Sequence, residues 1–508
     1  MHKTIGRSRI RVAVASAVGA LLLTGCRVGP KYVRPPALAQ APPATYKESP
    51  ANFPVSDGWK VAQPQDAMLH GKWWEIYNDP ELNALEEKLN IDNQTIKQYF
   101  ENFMEARTLI AQARAQLFPT LTAAPSFNRS KTSGSLTNSA TANTGRESSI
   151  TSMGLDASWA PDLWGKVRNT IREQQYNAQL SAADLENEKL TEQATLATTF
   201  FEIRGQDALQ SVLNQTVAED QKALDLNRSL YETGVGSEIS VVEAQNTLEN
   251  AQAAATNIGI ARAEYEHAIA VLIGTNPSAF SIPVRALDAA PPAVPVGVPS
   301  QLLERRPDIA ASERTMAAAN AQIGVADAAF YPALTLSATG GFQSSTIAQL
   351  FDWSSRFWSV GSSVSQPVFD AGLRRATVNE YIEAYNSDVA GYRQTVLSAF
   401  QQVEDGLAEV RILSQQIQQQ EQAAKTAQRF VDLETTRYQT GIDPYIDVVT
   451  AQNTLLSDQQ TLASLHTQVM TASVGLIEAL GGGWDSTQLP TPAEVSKKLT
   501  PAETQIQR

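Results

Sequence analysis

The stretch Tyr231-Glu-Thr-Gly-Val-Gly-Ser-Glu-Ile-Ser-Val-Val-Glu-Ala-Gln-Asn-Thr-Leu248 returns later in the chain as Tyr438-Gln-Thr-Gly-Ile-Asp-Pro-Tyr-Ile-Asp-Val-Val-Thr-Ala-Gln-Asn-Thr-Leu455. The likeness extends to earlier segments, since Phe118-Pro-Thr-Leu-Thr122 matches Tyr331-Pro-Ala-Leu-Thr335. Two copies are too few for a solenoid, which needs at least about three repeats. The sequence therefore predicts a duplicated unit with an internal two-fold repeat.

The two copies, the stretch between them and the segments before and after them divide the chain into six predicted segments. A proline-rich stretch falls between the two copies and is typical of a linker. The predicted segments are a signal peptide over 1–25, an N-terminal segment over 26–80, a first repeat over 81–290, the linker over 291–300, a second repeat over 301–483 and a C-terminal tail over 484–508.

Each copy contains long proline-free stretches with apolar residues at helical spacing. Val217, Leu224 and Tyr231 lie seven residues apart, as in a narrow coiled-coil seam, and the glycine of Thr233-Gly234 favours a helix end. The pattern predicts helices over 167–231 and 239–273 in the first copy, and over 307–330, 374–438 and 445–480 in the second. At 1.5 Å per residue the first of these would be roughly 95 Å long, far beyond the average globular helix.

Between the helices lie segments in which apolar and polar residues alternate. The apolar sets are Met153, Leu155, Ala157 and Trp159; Leu334, Leu336, Ala338 and Phe342; Trp358, Val360, Val364 and Val368; and, less regularly, Leu121, Ala123, Pro125 and Phe127. A period of two over about ten residues is typical of a membrane strand with one lipid face and one wet face. Soluble hairpins show the same alternation, so the pattern alone leaves both interpretations open.

Four such strands cannot complete a membrane barrel. Open sheet edges are not tolerated in lipid because every backbone group must be paired there, and membrane barrels begin at about eight strands. We therefore expect this chain to share a barrel with copies of itself.

The first 25 residues have the layout of a secretory signal peptide. Lysine and arginine precede a short apolar run, Val12 to Leu23, which is too short for a transmembrane helix. The run ends in Leu23-Thr-Gly-Cys26, which holds the only cysteine of the chain. This ending resembles the bacterial lipobox, in which the peptide is cut before the cysteine and the thiol is lipidated, palmitate included. The alternative is a free buried thiol.

The composition argues against several other classes of protein. Forty basic and 53 acidic residues give a net charge of −13, which disfavours nucleic acid as a partner. A single cysteine excludes a disulfide framework and a cysteine-rich metal site. The four histidines are scattered along the chain. A histidine-based active site is therefore poorly supported.

Several stretches together resemble one family. They are Cys26 to Pro36, Trp73 to Leu82, Leu302 to Ile309 and both Thr-Gly…Ala-Gln-Asn blocks. The chain resembles the TolC-type outer membrane factors, and more closely their lipoprotein branch. The resemblance implies a mostly α fold with a membrane β-barrel. It implies a homotrimer whose twelve-stranded barrel, with four strands per chain, continues into a long periplasmic α-helical barrel with a mixed equatorial region.

The resemblance also implies a function and partners. The trimer would sit in the outer membrane lipid, anchored by Cys26, and would extend into the periplasm. It would give small molecules passive exit from an inner-membrane pump through a periplasmic adaptor protein, with energy supplied at the pump. Because the pump supplies the energy, the resemblance implies no enzyme activity, no cofactor and no metal in this chain.

The same resemblance singles out two groups of residues. The helix-to-helix turns would be periplasmic tips that meet the adaptor, at Thr233, Gly234, Val235, Gly236 and Ser237 and at Thr440, Gly441, Ile442, Asp443 and Pro444. Asp447 matches by spacing an aspartate that faces the pore in some family members, and Glu243 occupies a place where the family often carries an acid. Both are candidate channel-aperture residues. The simpler interpretations are turns without a partner and solvated surface charges.

Two departures from the family pattern limit this comparison. Thr450 replaces the acid expected before Ala-Gln in the second copy, and Asn453 stands where some relatives have arginine. These positions therefore argue against a gate held there by salt bridges.

Three alternative functions remain at this stage. The same fold could serve as the exit duct of a protein-secretion system. The chain could also be a periplasmic coiled-coil scaffold lipoprotein, which would need no lipid-facing apolar band. An envelope hydrolase is the least supported, because no nucleophile–base pair can be identified by spacing.

Overall fold

We describe residues 27–38, 46–47, 71–131, 133, 147–287, 291–292 and 304–497 of a computed structural model of the chain. The expected signal peptide, Cys26, most of the linker and the last eleven residues, 498–508, lie outside the described residues.

Seven α-helices account for most of the described chain. They are α1 (Pro80–Asp92), α2 (Gln94–Ala115), α3 (Lys166–Glu232), α4 (Glu238–Leu272), α5 (Pro307–Asp327), α6 (Leu373–Gln439) and α7 (Tyr445–Ala479). The duplication is visible in their lengths, because α3 and α6 both have 67 residues, whereas α4 and α7 both have 35. The predicted helix ends are confirmed to within a few residues. Within the described ranges, no helix is both long and apolar enough to cross a bilayer.

Four strands form one antiparallel sheet in chain order. They are β1 (Thr120–Lys131), β2 (Glu147–Trp159), β3 (Ala333–Ser344) and β4 (Arg356–Ser365). Each repeat contributes one hairpin followed by its long helix pair. The mostly helical fold with four strands per chain is thus confirmed.

The strand register places the predicted apolar sets on one face of the sheet, except for Val368, which lies beyond the end of β4. Ala123 pairs with Leu155, Ala157 pairs with Ala338, and Ala338 pairs with Val360. Side chains of directly opposed residues point to the same side of a sheet. The apolar sets of all four strands therefore form a continuous surface, and Trp358 and Val360 on it are 80% and 74% exposed.

A hydrophobic core lies where α1, α3, α6 and α7 meet. Trp73, Leu82, Phe200, Val469 and Ile477 are all fully buried in it. The short α1 starts where Asp79 accepts hydrogen bonds from the backbone amides of Glu81 and Leu82, which is an ordinary N-cap. This core therefore joins helices of the first repeat to helices of the second.

An ion-pair network joins α1, α3, α4 and the chain that follows α4. Asp207 accepts from Arg204 Nη1 at 3.1 Å, from Arg262 Nε at 2.8 Å and from the backbone amide of Arg285 at 2.9 Å. Arg204, which is only 1% exposed, also pairs with Glu81. Every charge in the network therefore has a partner.

The N-terminal strap, residues 27–38, contacts residues of both repeats. The Val28 amide donates to the carbonyl of Trp164 at 3.1 Å, just after β2. Farther along, the Tyr32 hydroxyl donates to Glu313 Oε1 at 2.9 Å, and Arg34 Nη2 donates to the Tyr392 hydroxyl at 2.9 Å. The strap thus runs from the sheet towards the middle of α6.

The C-terminal part of the chain is packed as far as the structure describes it. Val495 is buried against α2 and α3, and Arg114 Nη1 donates to the carbonyl of Ser496 at 3.0 Å. Residues 484–497, interpreted above as a tail, therefore cover a helix surface. The preceding glycines make a packed turn, because a β-carbon at Gly481 would lie 2.0 Å from the Arg305 carbonyl oxygen.

Candidate functional site: the helical tips and their surroundings

The first tip, residues 233–237, is a tight connection between α3 and α4. Gly234 adopts φ +78°, and the amides of Val235 and Gly236 both donate to the Leu230 carbonyl, at 2.9 and 2.8 Å. Such bonds satisfy the free carbonyls at a helix end, and the left-handed residue is normally glycine. The Ser237 hydroxyl then caps α4 by accepting from the Ile239 amide at 3.1 Å. The local sequence thus determines this turn.

The second tip, residues 440–444, has the same backbone design with different charges. Gly441 adopts φ +74°, and the Ile442 amide donates to the Arg437 carbonyl at 2.9 Å. Asp443 pairs with the Arg437 guanidinium, which holds the pKa of that carboxyl below its usual value. Desolvation and the neighbouring Asp443 raise the pKa of Glu434. The second tip therefore contains a charged residue held by an ion pair to α6, whereas residues 233–237 include no charged residue.

Both tips expose apolar side chains. Val235 is 79% exposed and Ile442 is 64% exposed, and the adjacent Ile239 and Ile446 are also exposed. Apolar residues concentrated at the end of a rod form a surface that can bind a partner.

The two candidate aperture residues lie in different surroundings within one chain. Asp447 lies in the first turn of α7, where its carboxylate is close to those of Glu434 and Asp443. Glu243 lies on α4, where its charge acts on Tyr438 and Tyr445. The structure therefore does not bring Asp447 and Glu243 into one cluster inside a single chain.

The group of Glu434, Asp443 and Asp447 could place three carboxylate oxygens within 4.8 Å of one another. Arg437 already pairs with Asp443 in this group. Exposed acidic residues cluster often without a bound ion, so we assign no metal to them.

A buried polar contact between the repeats was missed in the sequence. Tyr438 on α6 donates its hydroxyl to Asn227 on α3, and Asn227 is only 1% exposed. Asn227 follows Leu224 by three residues and therefore lies on the same helix face. A polar residue on that apolar seam was the available signal.

Asp220 is a second buried polar residue near this contact. Its side chain is 2% exposed, and its Oδ2 has no hydrogen-bond partner in the described chain. Burial, and to a lesser extent the Glu219 charge, raises the pKa of Asp220 to about 6. The Tyr445 hydroxyl is likewise buried without a hydrogen-bond partner among the described residues. The charge of Asp220 contributes to raising the pKa of this phenol. The helix pairs are thus joined by a seam that includes polar groups.

The family model described as "Outer membrane efflux protein" matches residues 87–275 and 298–482, which together are more than half of the chain. The chain belongs to the outer membrane efflux protein family. The first matched range lies within the predicted first repeat, and the second begins three residues before the predicted second repeat.

Relatives of this outer membrane efflux protein share nearly its whole length. The toluene efflux pump outer membrane protein TtgC of Pseudomonas putida is 31% identical over 477 residues, which cover 92% of this chain and 95% of TtgC. The outer-membrane channel OprN is 26% identical with a TM-score of 0.80, over 90% of this chain and 100% of OprN. The open state of the Neisseria gonorrhoeae MtrE outer membrane channel is 25% identical with a TM-score of 0.75, over 91% of this chain and 99% of MtrE.

These similarities confirm the location and the function expected from the sequence. The chain is an outer-membrane channel protein of an efflux system, and its relatives are channel proteins. The roles of individual tip, aperture and lipidation residues stay predictions.

Proposed function

We propose that three copies of this chain form a passive exit duct for small molecules, fed by a periplasmic adaptor and an inner-membrane pump, and that the chain catalyses no reaction. The observation that supports this best is the sheet, which has one continuous apolar face and leads into helices of 67 residues. At 1.5 Å per residue such a helix is about 100 Å long. A scaffold that stays in the periplasm has no use for an exposed apolar sheet face.

The edges of the sheet supply the argument for self-association. Among the residues that the structure describes, β1 and β4 each pair with a neighbouring strand on one side only. Lipid does not tolerate open edges, so β4 of one copy must pair with β1 of the next. Two copies would reach the minimum of about eight strands, and the number three comes from the family resemblance.

Purification from outer membrane in detergent tests this proposal. We expect a particle with the mass of three chains that conducts ions in planar bilayers. A monomeric particle without conductance would contradict the proposed duct.

We further propose that Cys26 carries the lipid anchor. The strap begins beside the end of β2, where the α-carbon of Arg27 would lie 3.1 Å from a β-carbon at Gly165. Arg27, the first described residue, therefore lies near the end of the sheet, which supports a lipid anchor at the residue that precedes it in the sequence. Several acyl chains make a durable anchor, since each buried CH₂ contributes about 0.8 kcal/mol.

The exposed apolar tips support a role in docking the adaptor. Changing Val235 and Ile442 together to aspartate should lower efflux-dependent drug tolerance in cells, because it places charge on the apolar contact surface. The purified variant should still form a conducting trimer, since neither side chain is buried. Val33→Asp serves as the matched control, because Val33 is 75% exposed but lies on the strap. Equal loss in both variants, or none in either, would exclude a specific role for the tips.

We assign Asp447 to the channel aperture. In a trimer, three Asp447 carboxylates around one axis would favour cations, so Asp447→Asn should lower the cation preference measured from reversal potentials. Asp432→Asn is the charge-matched control on α6, where Asp432 accepts a hydrogen bond from Gln428. Unchanged selectivity in the Asp447 variant would remove this residue from the aperture.

A further inference from the structure

The second face of the sheet, opposite the apolar one, is almost free of charge. Register and alternation give it a surface of mainly serine, threonine and glycine, which includes Thr122, Ser152, Ser337 and Ser359. Across the four strands Asp156 is the only ionisable residue on this polar face. The other charged strand residues, Arg129, Lys131, Glu147 and Arg356, all have the parity of the apolar face and lie at the end of the sheet away from the helices.

Asp156 is exposed and held in position. It lies opposite Thr122 on β1 and Thr339 on β3, and the Thr339 hydroxyl donates to Asp156 Oδ1 at 2.7 Å. It precedes the strand end at Trp159 by three residues, or roughly 10 Å along the strand. A hydroxyl donor fixes the carboxylate without neutralising it.

Two arginines just beyond the sheet are paired with other carboxylates. Arg168 pairs with Asp162 after β2, with Nε and Oδ2 3.1 Å apart. Arg374 pairs with Asp370 after β4, with Nε and Oδ2 2.5 Å apart. Both arginines therefore have carboxylate partners in their own segments.

The size of a closed barrel decides how far this charge acts. Twelve strands about 4.8 Å apart, tilted by about 40°, enclose a barrel with a backbone radius of about 12 Å. The Debye length is about 10 Å at 0.1 M salt and about 3 Å at 1 M. Three Asp156 carboxylates at one height would therefore govern the potential across the lumen at low ionic strength and little of it at high ionic strength.

We propose that Asp156 makes the β-barrel lumen selective for cationic over anionic solutes, as a specificity-determining residue separate from the tips. This rests on the proposed trimeric channel with its polar sheet face inward. A wide ring of charge loses its influence in concentrated salt, whereas a narrow aperture keeps it.

Reversal potentials of the full-length protein in planar bilayers, in potassium chloride gradients at low and at high salt, test the proposal. We expect D156N to lower the potassium-over-chloride permeability ratio about two-fold or more near 0.1 M salt, and to differ little from the parent near 1 M. T339V, which keeps the charge, should keep the ratio. An unchanged ratio in a normally conducting D156N channel would overturn the role of Asp156, whereas a parent protein without conductance would overturn the channel itself.

A chemical rescue separates charge from shape. D156C should lose selectivity like D156N, regain it after reaction with an anionic methanethiosulfonate reagent, and reverse it with a cationic one. The parent, which contains Cys26, controls for reaction elsewhere. No response of conducting D156C channels to either reagent would place this residue outside the lumen and contradict the proposal.

Discussion

Asp207→Ala is expected to destabilise the protein by about 3–5 kcal/mol, the cost of breaking a buried ion pair by removing one partner. Arg204 is 1% exposed and would lose its Nη1 contact with the carboxylate, while Arg262 would lose its Nε contact. The backbone amide of Arg285 would also lose its acceptor. Thermal unfolding of the purified protein, followed by circular dichroism, should show a clearly lower midpoint for the variant.

Glu186→Ala is the control for this experiment. Glu186 pairs with Lys189 on the same helix as Asp207, but both side chains are more than a third exposed. Exposed pairs contribute about 0–1 kcal/mol, so this variant should unfold close to the parent. Similar midpoints for the two variants would mean that the Asp207 network does not hold α1, α3 and α4 together.

Much of the fold could be predicted because its signals are local. Thr233-Gly234 and Thr440-Gly441 mark helix ends through backbone conformation alone, and both ends lie where the sequence indicated. The alternation of apolar and polar residues in β2 and β3 indicates which side chains share a face of the sheet, and the strand pairing confirms this. The positions of the helix pairs and of the strands could therefore be predicted from a single sequence.

The contacts between distant segments could not be predicted. The Arg204 network joins residues of α1, α3, α4 and the chain after α4, and periodicity does not indicate which charges meet. The glycines after α7 are a second example, because a β-carbon at Gly482 would lie 2.1 Å from Leu190 Cδ1. Packing of that kind depends on a helix almost three hundred residues earlier in the chain.

The candidate site shows the same division. The two tip turns could be located because a turn is a local motif, whereas their role as adaptor contacts comes from the family resemblance and stays a prediction. The contact of Tyr438 with Asn227 depends on how the two repeats pack against each other. Asp156 is distinctive because the strand register places all the remaining charged residues of the sheet on the opposite face.

Glu86→Leu is expected to stabilise the protein at neutral pH, because Glu86 is a buried acid without a partner among the described residues. It is 0% exposed on α1, between the buried Leu82, Leu85 and Leu89, and neither of its carboxyl oxygens has a hydrogen-bond partner in that part of the chain. A buried polar group left unpaired costs about 1–3 kcal/mol, and a charged one costs more. The gain should appear as a higher unfolding midpoint for the variant at pH 7.

The same residue predicts how stability changes with pH. Burial raises the pKa of Glu86 well above its ordinary value of 4.5, so the folded state keeps a proton that the unfolded state has released. Stability should therefore fall as pH rises from about 4.5 through the raised pKa. Glu86→Leu should lose this part of the pH dependence, whereas Glu87→Leu, which changes the exposed neighbour paired with Lys72, should keep it. Parallel pH profiles for the parent and both variants would mean that Glu86 is not held protonated in the folded core.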